Sequence, residues 1–304
     1  MNIFSQPMIS IVYIKKNTHT YRIHKDYLLK RNMYFQKRLE DFGIESSGFL
    51  IEGQDGFQYT GDTILKKDTR VLLITDTTLS VDEFHQIKEF LNLDKIEVLG
   101  CVVTKNQLGN KTILHPCLDN PENIPDWYKE CQIDFSDFTI PGYTCFSLES
   151  VTQSFRNLRT KYPKETLRLK FGNGTSGIDH YLIKTEKDLA NILILLNNFP
   201  KLSEVGTAIE LNLTQIESYG ITKLKILDTE LTTIGKQATQ NSVYIGSELV
   251  TVSTSKEKEF IKICNKALKK IEPYAEQLNR FNIDIVSGKL ASGKIIKGIT
   301  DISL

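Results

Sequence analysis

The sequence predicts a mixed α/β fold of α+β character, and three stretches carry that prediction. Residues 71–103 alternate strand, helix and strand. Residues 167–198 run strand, glycine-rich turn, strand and helix. Residues 256–299 place an amphipathic helix before two strand-like segments. The change of hydrophobic period between 2 and about 3.6 in each stretch separates the strands from the helices.

In order along the chain, Ile9 to Ile14 is a strand-like apolar run, and Val71 to Ile74 is another, ending in the turn Thr75-Asp76-Thr77-Thr78. Val81 to Leu91 follows with Phe84, Ile87, Lys88 and Leu91 at helical spacing, then the apolar strand Ile96 to Val103. This rhythm predicts a small parallel-sheet unit. Residues 116–142 concentrate Pro116, Pro121, Pro125 and Pro141, so they read as loop and as a domain boundary. A helix over Leu148 to Arg159 precedes the strands Leu167 to Phe171 and Ile178 to Lys184. Glu186 to Asn198 has apolar residues nearly all round and is expected to be a buried helix. Ala208 to Leu213 and further segments across 221–253 read as strands. In Lys256 to Arg280, a stripe of Phe260, Cys264, Ala267, Leu268, Ile271, Tyr274 and Leu278 is expected to face the core, with a partner-binding face as the alternative. Pro273 should kink this helix or restart it. Asn282 to Val286 and Lys294 to Ile299 close the pattern around Gly288 and Gly293.

Composition excludes several classes. The 304 residues are 40% hydrophobic and 25% charged, and 38 basic against 37 acidic residues leave a formal charge of +1. A dedicated nucleic-acid binder carries a basic excess, so nucleic acid is not an expected partner. Met1 to Lys16 has no basic segment followed by an apolar core and cleavage site, and Leu189 to Leu196 is far short of the ~20 residues that span a bilayer. The expectation is a soluble, cytoplasmic protein with no membrane partner. Cys101, Cys117, Cys131, Cys145 and Cys264 show no paired spacing and read as reduced, mostly buried thiols.

The sharpest local feature is Leu167-Arg168-Leu169-Lys170-Phe171-Gly172-Asn173-Gly174-Thr175-Ser176-Gly177. Glycines let backbone amides approach an oxyanion closely, and a lysine at the strand end supplies a compact positive charge. A strand follows where a Walker-type loop needs a helix, so the segment is a hairpin tip, either phosphate-binding or structural. His115, next to Pro116, reads as structural, with a catalytic base as the alternative.

A lysine-ended strand, a glycine-rich loop and a second strand resemble the lid of the ATP-grasp superfamily. The segments Leu99 to Val103, Lys111 to Pro116, Pro141 to Ser147, Leu167 to Gly177 and Val243 to Leu249 are similar to a bacterial ATP-grasp family of unassigned substrate. The resemblance covers roughly residues 70–304. It implies an ATP-grasp-like fold with a small N-terminal α/β domain (1–115), a linker and glycine-rich lid subdomain (116–205) and a C-terminal subdomain with a metal site (206–304). It implies ATP and Mg2+ as cofactors. Lys111, Lys170, Gly172, Gly174, Thr175, Ser176 and Gly177 would then hold phosphate, Glu210 the adenine and Glu217 the ribose, while Asp284 and Asp301 would hold the metal.

The same resemblance implies an ATP-dependent ligase that joins a small-molecule or peptide carboxylate to an amine-type nucleophile through an acyl-phosphate. The alternatives are a degenerate relative acting as a nucleotide-binding regulatory or interaction module, and a plain α/β protein with a structural hairpin. Departures favour the degenerate form. The late metal motif reads Asp301-Ile302-Ser303 where a glutamate, any residue and asparagine are expected, and Ala238 stands where the family carries arginine. The sequence also shows no further basic residue and small-residue loop after Leu304.

Overall fold

The computed structural model describes residues 8–15, 19–53, 56–75, 77–131, 133–172, 180–226, 228–240, 243–252 and 254–304. Its N-terminal part comprises β1 (Met8–Lys15), α1 (His19–Glu40), β2 (Ile44–Gly53), β3 (Gly56–Tyr59), β4 (Arg70–Ile74), β5 (Leu79–Ser80), α2 (Val81–Leu91), β6 (Lys95–Leu99) and β7 (Cys101–Val103). A five-stranded sheet in the order β3-β2-β1-β4-β6 forms its centre. The β1–β2, β1–β4 and β4–β6 pairs are parallel, as the strand–helix–strand rhythm predicts. Helix α2 starts at a capping box, with Ser80 Oγ accepting from Glu83 N and Glu83 Oε2 accepting from Ser80 N. Phe84, Ile87 and Leu91 form its buried stripe.

The middle part contains α3 (Asp126–Cys131), β8 (Gly142–Cys145), α4 (Leu148–Lys161), β9 (Thr166–Phe171), β10 (His180–Ile183), α5 (Glu186–Asn197), α6 (Leu202–Val205) and β11 (Thr207–Asn212). The strands form an antiparallel sheet in the order β10-β9-β11-β8. Leu167, Leu169, Ile209 and Leu211 join Val151, Phe155 and Leu158 of α4 and Leu189, Ile192 and Leu196 of α5 in one core. Because strand side chains alternate, Arg168, Lys170 and Glu210 occupy the opposite face.

The last part has β12 (Thr214–Ile226), β13 (Thr229–Gln240), β14 (Val243–Leu249), α7 (Ser255–Ile271), β15 (Ala275–Leu278), β16 (Arg280–Lys289) and β17 (Ile295–Ser303). A second five-stranded sheet has the order β14-β13-β12-β16-β17, and β15 joins a small sheet with β7 and β5. Phe260, Cys264, Ala267 and Ile271 of α7 pack with Tyr219, Ile221, Ile283, Ile285, Ile299 and Ile302. Asp284 alternates with Ile283 and Ile285 and so belongs to the face away from α7. The stripe expected to face the core does so along α7.

The structure corrects several elements. Helix α5 is not buried all round: Ile194 is 66% and Leu195 39% exposed, because the sheet covers only the side of Leu189, Ile192 and Leu196. The pattern over 256–280 does not resume as a helix after Pro273. Helix α7 ends at Ile271, a 3-10 turn spans Glu272–Tyr274, and β15 pairs with β7, so tertiary pairing overrides the helical period. The proline-rich stretch contains α3, and α1 precedes the first expected helix. Among the described residues, no helix is long and apolar enough to cross a membrane.

Candidate nucleotide and metal site

The uncovered faces of the β10-β9-β11-β8 sheet and of the β14-β13-β12-β16-β17 sheet meet where Thr300 of β17 touches Lys170 of β9 and Glu210 of β11. On β9, Arg168 and Lys170 lie two residues apart and share a face. On β11, Glu210 is the register partner of Arg168, and Ala208 that of Lys170. The small alanine leaves Lys170 free to lean toward Glu210. Glu210 Oε1 lies 2.7 Å from Lys170 Nζ and 2.8 Å from Arg168 Nη2, and Oε2 lies 3.1 Å from His115 Nε2. Thr300 Oγ1 donates to Glu210 Oε1 at 3.1 Å, and its carbonyl accepts from Lys170 Nζ at 2.6 Å.

Both ends of the Lys170–Glu210 pair are removed from water, with Lys170 2% and Glu210 0% exposed. Removing charges from water is tolerated only with close partners on both sides. Burial opposes the Glu210 charge, but Lys170, Arg168 and His115 together hold its carboxyl well below the usual range. Lys170 is pushed down to about 8 by burial, with Glu210 pulling the other way. An ionised carboxylate only accepts, so His115 donates through Nε2–H. Gly142, opposite Glu210, is required here, because a Cβ would lie 2.9 Å from both His115 Cε1 and Glu210 Cβ.

Lys111 reaches the same place from a separate turn. It opens the buried 3-10 segment Lys111–Leu114, its backbone N–H donates to Gly172 O at 3.0 Å, and its Nζ lies 2.9 Å from Asp301 Oδ2. Gly172 permits the close packing around this turn: a Cβ there would sit 2.5 Å from Val205 O and 3.0 Å from Thr112 Cγ2. Asp301 and Thr300 are consecutive, and both take a lysine because β17 carries a bulge. Asp284 pairs with Asp301 and Ile285 with Ile299, which leaves Thr300 as the extra residue. A bulge frees backbone groups and re-aims side chains, here toward Lys170.

Asp284 and Asp301 are direct cross-strand partners, so their side chains share a face. Asp284 Oδ1 accepts from Gln237 Nε2 at 2.8 Å and Asn282 Nδ2 at 3.2 Å. Burial first, and the Asp301 charge second, push the Asp284 carboxyl up to about 6. Among the described residues no group of three or more histidine, cysteine or acidic side chains is placed to hold a metal. Two opposed carboxylates nevertheless supply hard oxygens that fit Mg2+, which keeps several waters of its own.

Five residues singled out in the sequence therefore converge: Lys111, Lys170, Glu210, Asp284 and Asp301, with Gly172 beside them. Gly174, Thr175, Ser176 and Gly177 lie outside the described residues. Glu217, expected at the ribose, lies on β12 apart from that cluster. It pairs with Ser287, shares the α7-facing side with Tyr219, and is held by Lys256, with Lys236 at 4.0 Å. The irregular register between Thr214 and Glu217, with Gln215 at φ 49°, turns the strand before that point. Glu210, expected at the adenine, has its carboxylate wholly engaged by Lys170, Arg168, His115 and Thr300.

Sequence reasoning missed Arg168, Thr300, Gln237 and Asn282, and read His115 as structural. Alternation within Leu167-Arg168-Leu169-Lys170 could have found Arg168; the others depend on register. His180, the register partner of Lys170, is pushed down to about 2 by burial and then by the Lys111, Lys170 and Arg168 charges. It is neutral, and neither of its ring nitrogens has a hydrogen-bond partner among the described residues.

The sequence matches the family described as "Protein of unknown function (DUF3182)" over residues 54–303. The chain belongs to the DUF3182 family. No curated protein matches this DUF3182 chain. Among solved structures it is similar to D-alanyl-alanine synthetase A from Vibrio cholerae, with 14% identity and a TM-score of 0.59 over 99% of this chain and 89% of that one. D-alanine-D-alanine ligase from Coxiella burnetii gives 10% identity and 0.58 over 97% and 85%. An ADP complex of N5-carboxyaminoimidazole ribonucleotide synthetase gives 10% and 0.54 over 100% and 72%. The DUF3182 chain thus has the ATP-grasp fold.

Proposed function

We propose that the chain binds ATP with Mg2+ between the β10-β9-β11-β8 and β14-β13-β12-β16-β17 sheets and uses it to activate a carboxylate for ligation to an amine-type nucleophile. The observation that carries this reading is the convergence of Lys111 and Lys170 on consecutive residues of β17, directly opposite Asp284. Phosphoryl transfer relies on positioned charge, and two lysines beside two carboxylates supply it. The ATP-dependent ligase neighbours and the ADP complex among them support the same reading.

In this reading Lys111 and Lys170 exchange Asp301, Thr300 and Glu210 for phosphate oxygens. Asp284 and Asp301 would hold Mg2+, which when bound draws charge from the phosphates. Arg168 and His115 keep Glu210 ionised and in place while Lys170 turns to the nucleotide. Nucleotide binding without turnover is the second reading, favoured by Ser303, which stands exposed opposite Asn282 where a third metal ligand is expected.

The test is ADP release with Mg-ATP across a panel of small carboxylates and dipeptides, each with and without amines. Release that requires both components supports ligation. ATP binding with no release on any pair supports the second reading.

A further inference from the structure

The two carboxylates of the Asp284–Asp301 pair are held differently. Asp284 Oδ1 accepts from Gln237 Nε2 at 2.8 Å and from Asn282 Nδ2 at 3.2 Å. Asp301 Oδ1 accepts from the Ile302 backbone N–H at 2.9 Å, while Oδ2 takes the Lys111 ammonium. Among the described residues Asp284 is therefore held through Oδ1 alone, whereas Asp301 is held through both oxygens, one of them by the Lys111 ammonium.

The amides at Asp284 are themselves held. Gln237 Oε1 accepts from Ser218 Oγ, and Asn282 Oδ1 accepts from Thr222 Oγ1 at 2.8 Å. A carboxylate can only accept, so these bonds fix which end of each amide faces Asp284. Gly220 is the register partner of Asp284 on β12 and leaves room for the row. A Cβ there would lie 3.1 Å from Gln237 Nε2 and 3.4 Å from Asp284 Oδ1. Ser218, Gln237, Asp284, Asn282 and Thr222 thus form one hydrogen-bonded row across β13, β12 and β16.

We infer that Gln237 and Asn282 are positioning residues that make Asp284 a one-oxygen ligand and so set the site's preference for Mg2+ over Ca2+. This rests on the proposed nucleotide–metal reading. Mg2+ is satisfied by single carboxylate oxygens and retained waters in a tight octahedron. Ca2+ takes six to eight oxygens and commonly both oxygens of a carboxylate. Binding Ca2+ through both oxygens of Asp284 requires Gln237 and Asn282 to give up their acceptor. Outer partners of this kind are worth about 10- to 100-fold in metal affinity.

The experiment is Mn2+ binding to the full chain with a non-hydrolysable ATP analogue, followed by electron paramagnetic resonance, with Mg2+ and Ca2+ as competitors. Wild type is expected to release Mn2+ to Mg2+ at a concentration about tenfold below that needed with Ca2+. Gln237→Met and Asn282→Ala should each narrow that ratio several-fold while Mn2+ still binds, and Asp284→Asn should weaken Mn2+ itself. An unchanged ratio in folded variants, with Asp284→Asn still weakening Mn2+, overturns the inference and leaves the metal reading standing. Wild type that does not distinguish Mg2+ from Ca2+ overturns it without any variant. If Asp284→Asn binds Mn2+ as wild type does, or wild type adds nothing to the nucleotide's own affinity, the metal reading fails and the inference with it.

Discussion

Asp284 and Asp301 face each other across the antiparallel β16–β17 pair, yet only Asp301 is held by a lysine. Asp284 is held by two neutral amides instead. The result is a buried carboxylate beside a second negative charge, with its carboxyl pushed up to about 6.

A pH dependence follows. The Asp284 carboxyl titrates higher in the folded chain than in the unfolded one. Its contribution to stability is therefore full below the unfolded value near 3.8 and is lost as pH rises through about 6. Asp284→Asn should accordingly stabilise the metal-free protein at pH 7.5 by about 1–3 kcal/mol, with the gain shrinking toward pH 4. Urea unfolding at the two pH values checks this. A variant less stable than wild type at pH 7.5 would contradict the assignment of burial, with the Asp301 charge second, as the strain on Asp284.

Lys170 and Glu210 should be strongly coupled. Lys170→Met leaves Glu210 buried with one fewer cation, a change that costs about 3–5 kcal/mol when a buried pair is broken. Adding Glu210→Gln removes the stranded charge, so the double variant should be less destabilised than the sum of the singles by about 0.5–3 kcal/mol. Additive single effects in a double-mutant cycle would show that Arg168 and His115 alone satisfy Glu210.

Gly172→Ala should loosen the link between Lys111 and β9. The new Cβ would meet Val205 O at 2.5 Å, and a backbone atom cannot step aside as a side chain can. The expected cost is about 1–3 kcal/mol, seen as a lower thermal midpoint. Wild-type stability in this variant would mean that Val205 moves without penalty.

Much of this fold was legible in the sequence, because burial imposes a period wherever one face is covered. The alternation Leu167-Arg168-Leu169-Lys170 separates a helix-covered face from a polar one, and the stripe through Phe260, Cys264 and Ala267 marks the core side of α7. Lys170 stands out at a strand end before the glycines, whereas Lys111, Asp284 and Asp301 were reached only through the resemblance to a known superfamily. What was hidden depends on register. The Thr300 bulge, the Gln237–Asp284 bond and the His115–Glu210 bond join residues far apart in sequence, and no local pattern announces them. The face that Glu217 takes on β12 was hidden in the same way, since the register is irregular between Thr214 and Glu217, where Gln215 has φ 49°. The segment 275–278 was misread because its apolar spacing suits a helix until pairing with β7 claims it.

Lys111→Met should weaken ATP binding by about 1.5–3 kcal/mol, or roughly 10- to 100-fold, through loss of one charge-assisted contact to phosphate. Calorimetry on the folded variant measures this. Unchanged affinity would remove Lys111 from the nucleotide site.

The central claim is that a metal–nucleotide complex binds where Lys111, Lys170, Asp284 and Asp301 meet. Its most direct test is calorimetric titration of ATP into the wild-type chain, once with Mg2+ and once with EDTA. The account predicts saturable one-site binding with Mg2+ and an affinity lower by about tenfold or more with EDTA, as expected when a charge-bridging ion is withdrawn. No binding in Mg2+, or the same affinity in EDTA, would contradict it.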